Sequence, residues 1–417
     1  METSTEPNPL LLQGIKVVEL ATYMAAPSAA MVLADWGAEI IKIEDLEGDA
    51  IRKVYKGISR NQLDGNPMFA FDNRGKRGIS VDIRTPEGSE IVGKLIAEAD
   101  VFITNVRPGA LDRLQLDYET LKQKHPRLIY ASVTGYGLQG EETDRPGFDV
   151  VAFWARSGLC RMMMPKGSEP VPVRAAMGDH MTGITLVAGI MAALYEREKT
   201  GQGKLVEASL LRTGMFMLGS DMGTQIHFGR LQSTQPRSDA IEPTRNFYKT
   251  SDDQWLMLIP RGNKKDFRTI CNVVGYPGMP NDVRFKTPVD RKENAPIMVG
   301  LFDQAFAKRT LNEWAQALDE ADLVWGPVQH PSQVVDDPQA WAAGGFVEIP
   351  YTNDPNGDPS TSEKTMTSVA SPIRFNGEAI KIRRPTPGIG EHTKEVLLEL
   401  NFEPSEIDAL LENEIIK

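Results

Sequence analysis

The chain has 417 residues, 41% hydrophobic and 25% charged, an ordinary globular balance with material for two or three domains. A formal net charge of -11 argues against general nucleic-acid or anionic-membrane binding, although a local basic pocket stays open. Only Cys160 and Cys271 are present, without metal-like spacing, which suggests a reducing compartment and no disulfide framework.

The polar start, Met1 to Pro7, does not read as a secretory leader, and no apolar stretch reaches the ~18–20 residues of a membrane helix. A cytoplasmic location is the expectation. Ile15 to Leu20 is a β-branched run that reads as a strand. Pro27 opens a helix, which Ala29, Ala30, Val32 and Leu33 carry to a stop at Gly37. Ala38 to Glu44 alternates around Ile40, Ile41 and Ile43 as a second strand. Strand, helix and strand in so short a span predict a right-handed crossover onto a parallel sheet.

The alternation continues with a strand at Ile79–Asp82 and a helix from Pro86 to Ala97. A strand at Val101–Ile103, a helix at Tyr118–Lys124 and a strand at Leu128–Val133 follow. The expected fold class is α/β, a doubly wound parallel sheet. Beyond Met222 the pattern changes. His227 to Glu242 is turn-rich and reads as a linker or mobile loop. A strand at Trp255–Ile259 and helices at Lys265–Val274, Ile297–Ala307 and Leu311–Ala321 suggest a smaller α+β domain. Asn353 to Thr361 reads as a turn or exposed loop, and Thr393–Leu400 and Ser405–Leu411 as closing helices.

Four constellations could carry chemistry. The turn Ala21 to Pro27 after the first strand lacks the glycines that let a backbone approach pyrophosphate, which argues against a nicotinamide dehydrogenase. Asn73-Arg74-Gly75-Lys76-Arg77 groups three cations around a glycine and could hold phosphates; taken alone it reads sooner as a solvated turn. Asn105, Arg107 and Arg113 follow a strand's carboxyl end, where open α/β sheets bind ligands; ordinary surface arginines are the bland alternative. Gly178-Asp179-His180 opens a helix whose apolar face is Ile184, Val187, Ala188, Met191, Leu194 and Tyr195. Asp179 there could simply cap the helix, but the flanking Gly178 and Gly183 leave backbone room that a cap does not require.

In this order the motifs resemble the class III coenzyme A-transferases of the CaiB/BaiF family. The resemblance rests on Gly14–Leu20, Gly37–Glu44, Asn73–Arg77, Ala99–Val101, Asn105 with Arg107–Gly109, and Gly135–Gly137. Gly178-Asp179 and Glu198–Gly203 complete it, with a weaker match at Gly390–Thr393. It implies that Asp179 is a covalent acyl carrier, with backbone N–H groups at Gly178 and His180 as oxyanion donors. It further implies that Asn73, Arg74, Lys76, Arg77, Asn105, Arg107 and Arg113 face coenzyme A. The partners would be an acyl-CoA and a carboxylic acid as substrates, with no permanently bound cofactor and no metal.

The resemblance also implies a homodimer of interlocked ring-like chains. Residues 1–224 would form the larger coenzyme A-binding domain and 225–330 the smaller one with its linker, while 331–417 return to the first. Asp45, where some transferases carry a basic residue, and the lack of a glycine-rich lid around residues 225–265 argue against the formate/oxalate branch. Pro146 to Arg156, followed by Gly178–His180, points to the branch acting on 2-hydroxy acids and enoyl-CoA partners. Met24, Phe148, Phe153 and Trp154 are the candidate substrate wall. Met162 to Met164 fit either such a wall or a surface loop. The rival is a 2-methylacyl-CoA racemase on the same fold. A racemase needs an acid and a base on opposite faces, and Phe148 stands where that family carries a His.

Overall fold

The computed structural model describes residues 10–58, 66–262, 264–351 and 364–417, so the turn expected at Asn353–Thr361 and the polar start lie outside the described residues. Six parallel strands form the main sheet: β1 (Lys16–Leu20), β2 (Glu39–Glu44), β3 (Arg77–Ser80), β4 (Val101–Thr104), β5 (Ile129–Thr134) and β6 (Leu205–Ser209). Their order, β3-β2-β1-β4-β5-β6, is that of a doubly wound sheet, with the switch point between β1 and β4. The sequence reading finds the first five strands; Leu205–Ser209, half polar and only partly buried at its start, escapes it.

Helices cover both faces, which is why the central strands read as continuous apolar runs. On one face lies the helix Ala25–Asp35, buried at every residue, with the long helix Met177–Thr200 packed on it. Small side chains at Ala25, Ala26, Ser28, Ala29 and Ala30 let these two helices and the sheet approach closely. On the other face Ile91, Leu95 and Ile96 of the helix Pro86–Glu98 meet Val396, Leu397, Ile407 and Leu410 of the two closing helices. The edge beyond β3 is finished by the last residues of the chain. Val81 bridges Ile416, Asp82 N–H donates to the Ile415 carbonyl at 2.8 Å, and Lys417 N–H donates to the Ser80 carbonyl at 3.1 Å.

Met177–Thr200 corrects one expectation. Over 24 residues it is long and apolar enough to cross a bilayer by length and composition. Thr182, Leu186, Val187, Ile190 and Ala193 are nevertheless buried, and Arg197 in its last turn pairs with Asp100 at 2.9 Å. It is a core helix.

Contacts divide the chain into two compact units, Met1–Cys160 with Val171–His227 and Ala342–Lys417, and Arg161–Pro170 with Phe228–Trp341. The second unit has an antiparallel sheet, β7 (Asn246–Lys249), β8 (Trp255–Ile259) and β9 (Val324–Pro327), over an aromatic core of Tyr248, Phe302, Phe306 and Trp314. Part of the turn-rich stretch expected to be a mobile loop is tied down there. Arg237 forks onto Asp303, both contacts at 2.8 Å, and Arg291 holds Glu242. The first unit also carries a hairpin, β10 (Phe346–Tyr351) with β11 (Lys364–Val369).

Candidate active site

Asp179 is the third residue of the long helix, and the residue before that helix, Ala176, sits in the left-handed region at φ +74°. Such a backbone costs a non-glycine residue about 1–3 kcal/mol and persists only where surroundings enforce it. Gly178 explains part of the enforcement. A Cβ there would stand 2.4 Å from Phe153 Cγ, so only glycine lets the first turn sit on that ring. The first-turn N–H groups of Met177, Gly178 and Asp179 are those a helix leaves without intrahelical acceptors. The His180 N–H is different, since it donates to the Ala176 carbonyl at 2.9 Å.

Asp179 opens into a cavity of about 420 Å³. Its walls include Tyr23 and Met24 after β1, Asn105 and Arg107 after β4, and Val133 and Gly135 at the end of β5. Gly147, Phe148 and Asp149 close another side. Asp149 begins a π-helical stretch, Asp149–Ala155, is 4% exposed, and its Oδ2 has no hydrogen-bond partner among the described residues. Burial, followed by the negative Asp149 and Asp72 carboxylates, pushes Asp179 up to about 7, while His180 partly opposes the shift. The result is a carboxylate poised at neutrality rather than fully ionised.

His180 points elsewhere. Its Nε2 lies 3.1 Å from Asp72 Oδ1, and its ring lies 4.8 Å from that of Phe71. Burial disfavours the imidazolium, but the Asp72 carboxylate outweighs burial and raises the pKa. The His180 N–H, given to the Ala176 carbonyl, is therefore not free for an oxyanion, contrary to the sequence reading.

The basic motif after the helix Pro67–Asn73 needs the same correction. Asn73, Arg74 and Lys76 are wholly buried and committed to internal partners. Arg74 forks onto Asp35, with Nη2 at 2.8 Å; Lys76 Nζ holds Glu19 at 2.6 Å and Asn73 Oδ1 at 2.9 Å. Glu19 also takes Lys42 at 2.9 Å, and Lys42 reaches Asp49 at 3.0 Å and the Ala21 carbonyl at 2.9 Å. Burial pulls both amines down. At Lys42 the Glu19 and Asp49 carboxylates win and raise it, whereas at Lys76 burial wins and lowers it to about 8. Arg77 turns to Glu395 and Glu399 at 2.9 and 2.6 Å and borders neither the Asp179 cavity nor the cleft beside it.

The lattice has an outlet toward the site. Asp49 Oδ1 accepts the Tyr23 N–H at 3.1 Å, fixing a residue at φ +63° on the cavity wall. Asn105, expected to touch the ligand, clamps this turn from the other side: its Oδ1 accepts from Thr22 N–H at 3.0 Å, and its Nδ2 donates to the Thr22 carbonyl at 2.7 Å. Arg107 lines the cavity and Arg113 lines a second cleft of about 910 Å³, which shares Thr22 and Val106 with the first. That cleft runs along the carboxyl ends of β1, β2 and β3, with Asp45, Glu47, Asp82 and Arg84 on its rim. Of the expected substrate wall, Met24 and Phe148 line the cavity. Phe153 is 2% exposed beneath Gly178, and the Trp154 Nε1 donates to the Val171 carbonyl at 2.8 Å; neither lines it. Among the described residues no group of His, Cys, Asp and Glu is placed to hold a metal ion.

Sequence reasoning missed Asp149, Tyr23 and the lattice of Glu19, Lys42 and Asp49. Asp149 stands in a stretch read only for its branch, and Tyr23 in a turn read only for its lack of glycine. A charged residue inside each of two apolar strands, Glu19 and Lys42, was the available signal, because a buried charge demands a partner.

The chain belongs to CoA-transferase family III, whose model matches residues 12–393, and it is a transferase of coenzyme A. It is 36% identical over 412 residues to the (R)-2-hydroxy-4-methylpentanoate CoA-transferase of Clostridioides difficile, covering 98% of this chain and 100% of that one. It is 32% identical over 408 residues to the cinnamoyl-CoA:phenyllactate CoA-transferase of Clostridium sporogenes, 97% of each chain. The crystal structure of a CaiB/BaiF family protein from Brucella suis matches with a TM-score of 0.80 at 30% identity, over 94% of this chain and 100% of that one.

Proposed function

We propose that the chain moves coenzyme A from an acyl thioester to a carboxylic acid, 2-hydroxy acids among the acceptors, through covalent adducts on Asp179. The observation that carries this is a carboxylate with a pKa raised to about 7, at a helix start, opening into a cavity that adjoins a long cleft at the sheet's switch point. The relatives that act on 2-hydroxy acids support the acceptor class.

The chemistry follows from leaving groups. The Asp179 carboxylate attacks the thioester carbonyl, and the C–S bond breaks to give a mixed anhydride and free thiolate. The thiolate attacks the aspartyl carbonyl, expelling the donor acid and leaving an aspartyl thioester. The acceptor carboxylate attacks that thioester, giving a new anhydride, and the thiolate returns to the acceptor's carbonyl, freeing Asp179. Each tetrahedral oxyanion would find the first-turn N–H groups and the positive end of the long helix.

The nucleotide end of coenzyme A is assigned to the 910 Å³ cleft, with Arg113 as the phosphate partner and Arg107 at the junction. We also place a second copy of the chain against the helices Leu210–Met217 and Gly219–Phe228, where Phe216 and Ile226 are 86% and 82% exposed. Such bare apolar surface on neighbouring helices fits a subunit interface.

Incubation with acyl-CoA followed by hydroxylamine should convert Asp179 to its hydroxamate, read by peptide mass spectrometry, and Asp179→Asn should abolish transfer. Modification elsewhere, or native turnover in a variant free of deamidation, sinks the proposal. Deuterium uptake at C2 without any acceptor acid would move the reading to racemisation.

A further inference from the structure

Two aromatic side chains in the Asp179 cavity make their most conspicuous contact with each other. Tyr23 and Phe148 meet edge to face with ring centroids 5.2 Å apart, and they are 37% and 52% exposed. Both line the cavity, together with Met24, Ile51, Met68 and Leu210. Tyr23 is held there at φ +63° by the Asp49–Lys42–Glu19 lattice, an unfavourable backbone that fixes where the ring stands. Phe148 immediately precedes the π-helical stretch that begins with Asp149. Two elements from distant parts of the chain thus bring bare aromatic faces to one wall.

The charges in the cavity favour the same kind of occupant. Asp149 and Asp179 are both acidic, and the buried Asp149 Oδ2 has no partner among the described residues. Of the two lining cations, Arg145 is paired with Glu142, and Arg107 belongs to the loop that borders the second cleft through Val106. A second carboxylate on the substrate would meet two acids, with Arg107 given on the transfer reading to coenzyme A, whereas an apolar tail would cover the exposed rings. From this we infer that the acids handled at Asp179 are monocarboxylic with a branched-alkyl or aryl tail, and that the Tyr23–Phe148 pair sets this specificity. The inference rests on the transfer reading given above.

Four 2-hydroxy acids that differ only in their tails test it: lactate, 2-hydroxy-4-methylpentanoate, phenyllactate and 2-hydroxyglutarate, each with saturating butyryl-CoA and the full chain. The two apolar tails should exceed 2-hydroxyglutarate in kcat/KM by about fifty-fold or more. Tyr23→Gly, which keeps the backbone conformation accessible, and Phe148→Ala, at an exposed position, should each lower the apolar-tail values about tenfold, mainly through KM. Lactate, without a tail to cover the rings, should lose distinctly less than the apolar-tail acids do. Because the coenzyme A arm is common to all four reactions, equal losses on all four would show that the rings serve that arm or the fold, and would overturn the inference. Parity of 2-hydroxyglutarate with the apolar acids would overturn it too. So would transfer to none of the four, and hydroxylamine trapping would then show whether Asp179 is acylated at all, which separates failure of this inference from failure of the transfer reading.

Discussion

In the proposed mechanism Asp179 both attacks and departs as its anion, and a pKa raised to about 7 makes that anion more basic than an ordinary aspartate while a substantial share stays ionised at neutral pH. Its attacking form is the anion, so protonation below the pKa removes the nucleophile. The rate of thiol release in a single turnover should therefore rise with pH and level off above a midpoint near 7. Asp149 is one of the negative groups that hold Asp179 up, after burial itself. Asp149→Asn should consequently shift the midpoint to lower pH, as read by a thiol reagent across about pH 5 to 9. A midpoint unmoved by that substitution would mean that Asp149 does not act on Asp179 electrostatically.

Among the elements, the ends of β1 and β2 carry the most consequential departure from ordinary core chemistry. Glu19, Lys42, Asp49 and Lys76 are buried ions that satisfy one another. Removing one member strands the others, at a cost of about 3–5 kcal/mol for a buried pair. Lys42→Met should lower stability by that amount in urea unfolding, and should also release Asp49 and with it the Tyr23 turn. Residual enzyme would then show a raised KM for the acid even at temperatures where it stays folded.

Much of this element layout was legible from periodicity. Trp255–Ile259 and Tyr118–Lys124 have the limits that the pattern gives, and β1, β2, β4 and β5 overlap the expected runs, while β3, expected at Ile79–Asp82, stands two residues earlier at Arg77–Ser80. What periodicity cannot show is partnership at a distance. Arg74 and Lys76 read as phosphate ligands because Asp35 and Glu19 lie 39 and 57 residues earlier in the chain. Only the folded sheet brings those acids under the motif. The same blindness hid Asp149, whose carboxylate acts on Asp179 across the fold, while Asp179 itself was singled out by flanking glycines and given a role only by the family resemblance.

At the scale of the whole molecule, the larger unit is assembled from three stretches of chain, Met1–Cys160, Val171–His227 and Ala342–Lys417. Its exposed helices Leu210–Met217 and Gly219–Phe228 are the surface on which dimerisation is proposed. Phe216→Glu with Ile226→Lys should convert the particle to a monomer in analytical ultracentrifugation. Unchanged mass would exclude those helices from the interface. Charges at such exposed sites cost little in an isolated chain, so the shift would report association rather than unfolding.

The seam between Val81 and Ile416 has a bearing on how the polypeptide is made. A ribosome releases β3 long before it releases the segment that seals β3's flank. Until translation reaches that point, a nascent chain presents an unsealed strand margin to its neighbours, a template for intermolecular pairing. Chains that lack the 415–417 segment should therefore associate more readily than chains that carry it.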